Sequence, residues 1–399
     1  MIKRDIAPPP SSLNRVLQLI IVWFTLTMSD QLASRRGIST IAQDADAQLA
    51  RQAGGQNTMW LGAWSMVAAI NKRLALQPSD TAMDPAMLDF DMHDLWHIYW
   101  HGAINTEPDS PKLDRLALHI IQTREQGQEE ASTSDGCRVW IDLPFLLQDM
   151  IANWTNECAA MSSSERLSGA QFLALLAAAG ATAGDAFCSI SLIVLRDALE
   201  TPRPLGRLAP ADRHAARQMQ DLTIADLLPA ANAWLITAGR KLVQLSDEER
   251  DQFSPEVERL GELVAPSPAA AATPTPACGT SDAPPSAGPL LQELPRHGGF
   301  SPQRWAWWLR RLDVIASLAV QQEQQEQQGH TSVPREAGRR TLASFAHGMM
   351  DNMLLVAAQT NGLLGQISRQ PGALVTRRPP VRHFGPSRPD DLPEGQELV

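Results

Sequence analysis

An all-α fold is what this sequence predicts, and three observations predict it. Apolar residues recur at three- and four-residue steps in stretch after stretch, the mark of a 3.6-residue period. Several stretches open on Ser or Asp followed by Pro: a side-chain cap, then a residue whose missing N–H costs nothing in the first turn. No run of four or more residues alternates strictly between apolar and polar, apart from a weak Cys137–Leu143 segment, so strands are not expected. The expectation is a multi-helix bundle with a disordered Pro/Ala-rich insertion and a disordered C-terminal tail.

Taken in order, residues 1–58 read as an N-terminal apolar segment and a flexible lead. Lys3, Arg4 and Arg15 precede the apolar run Val16 to Met28. That run is shorter than the roughly 20 residues a bilayer span needs, yet it matches a signal-peptide core of about 7–15 residues. The small-residue cleavage pattern that should follow is poor. A dispensable extension, or an amphipathic helix packed on the body, are the other readings. A cytoplasmic protein is expected, with the secretory pathway as the alternative if residues 1–29 act as a signal.

Residues 59–245 form the main helical domain. Trp60, Trp64, Val67 and Ala68 outline its first helix. The chain is organised around Asp84 to Arg124, a helix pair. Asp84 and Pro85 start the first helix, on which Leu88, Met92, Leu95, Trp96, Tyr99 and Ala103 share a stripe. Ser110 and Pro111 start the second, and Leu113, Leu116, Ala117, Ile120 and Ile121 supply the facing stripe, giving an antiparallel pair. Asp142 and Pro144 open the next helix, through Leu146, Leu147, Met150, Ile151 and Trp154. Ser168 with Gln171 resembles a capping box, with Gly180 as the C-cap of that helix. A segment from Asp185, apolar on most sides through Leu195, belongs in the middle of a helical layer. Asp226 to Leu245 is a further helix bearing Trp234.

Residues 246–299 are Pro-, Ala-, Ser- and Thr-rich and read as a disordered linker. Ser301 and Pro302 restart order, and the C-terminal helices of residues 300–362 are expected to pack on the main domain. Trp305, Trp308, Leu309, Leu312, Ile315, Ala316 and Ala319 form one stripe. A last helix from Pro334 carries Phe345, Ala346, Met349, Met350, Met353 and Ala357. Residues 363–399 read as a disordered tail.

With 34 Lys and Arg against 44 Asp and Glu, the formal net charge is −10, so nucleic acid is not an expected partner. Four cysteines without close spacing argue against a disulfide framework. Gly-x-Ser-x-Gly, Walker, Gly-x-Gly-x-x-Gly and His-Glu-x-x-His motifs are all lacking, and no catalytic set or cofactor is nominated. Asn153-Trp154-Thr155 is a glycosylation triplet inside a helix, relevant only to a secreted chain.

Three polar patterns remain. His93, His97 and His101 share one helical ridge, pointing away from the Leu88–Tyr99 stripe. His93 and His97 could hold zinc together with a carboxylate from another helix. The full ridge cannot bind one ion, because its ends lie about 12 Å apart along the axis while Zn–N bonds are about 2 Å. A polar face that carries imidazoles is the preferred reading. Asp89, Asp91 and Asp94 resemble a Mg²⁺-diphosphate carboxylate cluster but lack its second half. Carboxylates early in a helix are already explained by the macrodipole. Trp100 and Trp307 lie off their helices' stripes and are candidate cleft or interface residues. Arg304 and Arg311 could receive an anion, although pairing with the excess carboxylates is the simpler account.

The segments LWHIYWHGAINTEPDSPKLDRLALHIIQ, RVWIDLPFLLQDMIANWTNE, ISLIVLRDALE, NAWLITAGRKLV and GFSPQRWAWWLRRLDVIA resemble, in that order, a filamentous-fungal family catalogued only as a domain of unknown function. The signposts are Trp96, Pro111, Trp140, Leu143-Pro144, Arg196-Asp197-Ala198-Leu199 and Trp305. The resemblance implies an all-helical fold, no established activity and no catalytic residues to carry over. The histidine ridge is not part of its pattern. An accessory role in fungal secondary-metabolite biosynthesis is also implied.

The function expected first is therefore a helical binding or scaffold protein, with a groove near the 85–124 pair and the helix at 302–319. The alternative is an enzyme or carrier acting on a small aromatic metabolite in a Trp-lined pocket. In either case the partner is an unknown protein or small molecule. No membrane contact is expected beyond the segment 16–28.

Overall fold

The computed structural model describes residues 56–75, 85–125, 132–208, 217–250, 299–329 and 341–369. Among them, helices and turns build everything, and the one β-type pairing is an isolated bridge between Ser132 and Arg138. The N-terminal apolar run at 16–28, nearly all of the linker and the basic tail lie outside the described residues.

Ten helices follow in order: α1 (Gln56–Ala75), α2 (Pro85–Ile104), α3 (Pro111–Glu125), α4 (Leu146–Glu157), α5 (Ser163–Ala178), α6 (Ser189–Leu195), α7 (Ile224–Asp247), α8 (Pro302–Gly329), α9 (Leu342–Ala358) and α10 (Leu363–Ser368). A 3₁₀ turn, Ala183–Cys188, leads into α6, and a π-helical turn, Arg196–Glu200, leads out of it. Helices α5 and α7 pack along each other as the spine. On one side α2 and α3 lie against α5, with α1 and α4 packed on α2. On the other, α6 and α9 lie against α7, and α8 crosses α9 and the π turn. All seven residues of α6 are buried, as its uniformly apolar sequence requires.

The helix starts show where local signals held and where packing decided. Ser301 accepts from the Arg304 N–H at 3.1 Å, as a Ser-Pro start predicts. Gly180, past the end of α5, takes φ 67°, the left-handed conformation that glycine adopts without strain. The α5 start differs from the expected one. Its reciprocal capping box is Ser162 with Glu165, while Ser168 sits mid-helix, fully buried, and donates to the Thr106 carbonyl at 2.6 Å. Helix α4 also begins later than Asp142-Leu143-Pro144 suggests. Leu143 and Phe145 both take positive φ, 47° and 65°, because the Trp96 indole donates to the intervening Pro144 carbonyl at 2.7 Å. Helix α9 begins at Leu342, capped by the Thr341 hydroxyl, which accepts from the Ser344 N–H at 3.1 Å; the expected start at Pro334 lies outside the described residues. Order also runs past Gly362: Leu364 is buried in α10, and Asp247 caps that helix through the Leu364 N–H at 2.9 Å. Nor does the linker begin at 246, because Ser246 is fully buried and Asp247 completes α7. The Phe300 N–H closes on the Arg250 carbonyl at 2.9 Å, so both ends of the excursion meet.

Candidate functional site

The residues nominated from sequence sit in two places, and both are packed. The first is the seam between α2 and α4. The histidine ridge faces α4 there instead of open solvent, because α4 carries Asp149 and Glu157 along the opposing face. His93 Nδ1 lies 2.8 Å from Asp149 Oδ2, and its ring stacks on Phe145 at 4.3 Å. The hydrogen bond to Asp149, helped by the charges of Asp89 and Asp94, raises the His93 pKa above its ordinary value. His97 turns to His101, ring to ring at 4.2 Å, and His101 Nε2 lies 3.9 Å from Glu157 Oε1. His93 and His97 thus face different neighbours, and among the described residues no group of three His, Cys, Asp or Glu side chains could hold a metal ion.

Trp100, off its stripe, is fully buried and not in a cleft. Its indole donates to Glu157 Oε2 at 2.9 Å. It fits because α5 presents Gly169 there: a Cβ at that position would come within 3.0 Å of Trp100 Cη2. The acidic trio also disperses, Asp89 to Ser134 and Asp91 to Arg73. Burial outweighs the Arg73 charge and lifts Asp91 to about 6.

The second place is where α8 crosses the π turn. Arg304 and Glu200 are both fully buried, joined through Nε–Oε1 at 2.7 Å and Nη2–Oε2 at 3.2 Å. The Trp308 indole adds a donor to Glu200 Oε1 at 2.8 Å, and Arg304 Nη1 donates to the Gly299 carbonyl at 3.1 Å. Arg311 donates to the Leu199 carbonyl at 3.2 Å, and Trp307 is half-buried against the core. Arg304 is therefore paired within the fold and cannot reach an external anion. Trp100 belongs to the α2–α4 packing, Arg304 and Arg311 to the α8 crossing. The tryptophans Trp96, Trp154, Trp234, Trp305 and Trp308 are likewise enclosed in the core.

An open concavity lies elsewhere, between α7 and α9. It measures about 530 Å³, within the size range of small-molecule sites. Helices α7 and α9 come close at Gly239, where a Cβ would meet Val356 Cγ1 at 3.2 Å. Around that contact the larger side chains splay outward. Ile236 and Leu355 line the groove at 64% and 59% exposure. The polar lining comes from Thr237, Arg240, Lys241, Asn352 and Gln359. Arg240 Nε donates to Gln359 Oε1 at 3.0 Å. Lys241 pairs with Asp185 at 2.5 Å and donates to the Ala177 carbonyl at 3.1 Å. The sequence reading placed a groove near the 85–124 pair and α8; this one has other walls. The cue for it was available in kind: Ile236 and Leu355 fall outside the apolar stripes of their helices, the same sign that singled out Trp307.

No helix among the described residues is long and apolar enough to cross a membrane. No solved structure matches the chain. Over 329 residues it is 28% identical to the oxopyrrolidines biosynthesis cluster protein G of Penicillium oxalicum, a match covering 78% of this chain and 80% of that protein. Residues 96–312, more than half of the chain, match the family described as "Protein of unknown function (DUF3632)". That segment runs from Trp96 at the α2–α4 seam, through Glu200 and Arg304, to Leu312 of α8, and on this match the chain belongs to that family of unknown function.

Proposed function

We propose that this chain is a non-enzymatic helical binding protein, an accessory component of secondary-metabolite biosynthesis, that works through the α7–α9 groove. The observation that carries the reading is a contrast in where apolar surface goes. Trp96, Trp100, Trp154, Trp234, Trp305 and Trp308 fill the core, whereas Ile236 and Leu355 stand in water on the rim of a groove. Single exposed apolar residues are ordinary; here two line one concavity together. The groove's lining contains no aromatic ring, which speaks against a Trp-lined aromatic pocket there. The relative's name supports the metabolic setting.

The test is an Ile236→Glu/Leu355→Glu double variant replacing the native gene in its own host, followed by metabolite profiling. At least one secondary metabolite should fall several-fold while the level and helicity of the protein stay unchanged. An unchanged profile would overturn the proposal.

A further inference from the structure

The groove also says what chemistry it would accept, and this step rests on its assignment as the binding surface. We infer that its ligand is a small organic anion, a carboxylate or similarly delocalised oxyanion on an aliphatic body. Three features of the lining lead there. First, its charged residues are Arg240 and Lys241, both cations, in a chain of formal net charge −10. No acidic side chain lines the concavity, and with Lys241 paired to Asp185 the charge that faces a ligand there is that of Arg240.

Second, the two cations are in different states. Lys241 is held by Asp185 and by the Ala177 carbonyl at the end of α5, so its charge is largely answered within the fold. Arg240 is not. Its one hydrogen bond among the described residues runs from Nε to Gln359 and leaves Nη1 and Nη2 without partners there. A guanidinium held by one edge presents its remaining donors as a fork, the geometry that matches two oxygens of one oxyanion. Thr237 lies three residues earlier on α7, on the same face, and its hydroxyl makes no hydrogen bond to another described residue. It supplies a further donor beside the fork.

Third, the rest of the wall is aliphatic: Ile236, Leu355, Val356 and the alanines 178 and 238. Branched aliphatic side chains without a ring to stack on favour a flexible or branched hydrocarbon body over a flat aromatic one. The charged end belongs at Arg240 and Gln359, the hydrocarbon between Ile236 and Leu355.

The experiment uses the full chain with methyl-labelled Ile, Leu and Val, titrated with octanoate, octanamide and octylamine. Octanoate should shift the Ile236 and Leu355 methyls and bind about fivefold or more tightly than octanamide, with octylamine weakest. Arg240→Gln should lower octanoate affinity about fivefold or more and so remove its preference over octanamide. Ile236→Glu/Leu355→Glu should abolish binding of both. Equal affinity for octanoate and octanamide, or a preference that survives Arg240→Gln, overturns the anion inference yet leaves the groove as the binding surface. Shifts confined to another face, or none with any probe, overturn both.

Discussion

Two helix crossings in this molecule use similar residues and reach opposite ends. Where α8 meets the π turn, an arginine, a glutamate and a tryptophan close on one another with no solvent access to either charge. Where α9 meets α7, an arginine reaches a neutral amide at the surface, and two aliphatic side chains point outward. The difference lies in what desolvation demands. A charge taken fully out of water must be met by its opposite and by further donors, or the fold does not hold; a charge left at the rim can wait for a partner from outside. The first crossing is therefore structural, and the second is the one proposed for binding.

Breaking the first crossing should produce the largest effect. Glu200→Ala leaves the Arg304 guanidinium buried without its carboxylate, and such half-pairs cost about 3–5 kcal/mol. Urea unfolding should show an unfolding free energy lower by that amount. The Glu200→Ala/Arg304→Ala double variant should lose less than the sum of the two single ones. A loss below about 1 kcal/mol for Glu200→Ala would mean that the buried pair is not what fastens α8 to the main domain.

The two tryptophans of that crossing sharpen the point. The Trp308 indole N–H answers Glu200, whereas the buried Trp305 indole N–H has no partner among the described residues. Each Trp→Phe change removes similar volume, so the difference between them reports the hydrogen bond to Glu200 together with the stacking of Arg304 on the Trp308 ring, 5.5 Å from its centroid. Trp308→Phe should be the more damaging by about 1–2 kcal/mol, the range for leaving a buried charged acceptor short of a donor. Equal losses in thermal or chemical unfolding would contradict that assignment.

Much of the architecture was readable from the chain because its causes are local. The apolar period marked the helices, Ser301-Pro302 wrote its own cap, and the uniformly apolar α6 is buried on every side. Local causes ran out where two answers were equally good. Ser162 with Glu165 and Ser168 with Gln171 both fit a capping pattern, and the choice fell to Ser168 being drawn into the core by the Thr106 carbonyl. The left-handed Leu143 and Phe145 were hidden for the same reason, since they depend on the Trp96 indole reaching in from another helix. Arg304 could be read as paired, but its partner is 104 positions away. The groove was least legible of all: its walls lie about as far apart in sequence, Arg240 and Gln359 being separated by 119 positions, and no motif spans them.

At the α2–α4 seam a smaller effect follows from pH. The bond to Asp149 lifts the His93 pKa above its ordinary 6.5. The stability that this pair contributes is thus fully present below about pH 6.5 and is lost as pH rises through the raised value. His119, whose pKa is lowered by burial, acts with the opposite sign, so the raw pH profile mixes the two. Comparing the native chain with Asp149→Asn separates them: the variant should lose the decline above pH 6.5 that belongs to His93. The His93 side chain is 43% exposed, so screening keeps the difference below about 1 kcal/mol. Parallel profiles for the two proteins would remove the ion pair from the account of this seam.

The smallest expected effect on stability is the one that most sharpens the contrast between the crossings. Ile236 and Leu355 already sit in water in the folded chain, so Ile236→Glu and Leu355→Glu take little away from the core. Each should leave the unfolding free energy within about 0.5 kcal/mol of the native value, as surface changes do. Leu235, the neighbour of Ile236 on α7 and fully buried, provides the control. Leu235→Ala should cost about 2–5 kcal/mol through lost contacts and the cavity left behind. If the groove variants were instead as destabilising as Leu235→Ala, those side chains would be covered in the folded protein, and the α7–α9 face would be one more closed crossing like that of α8.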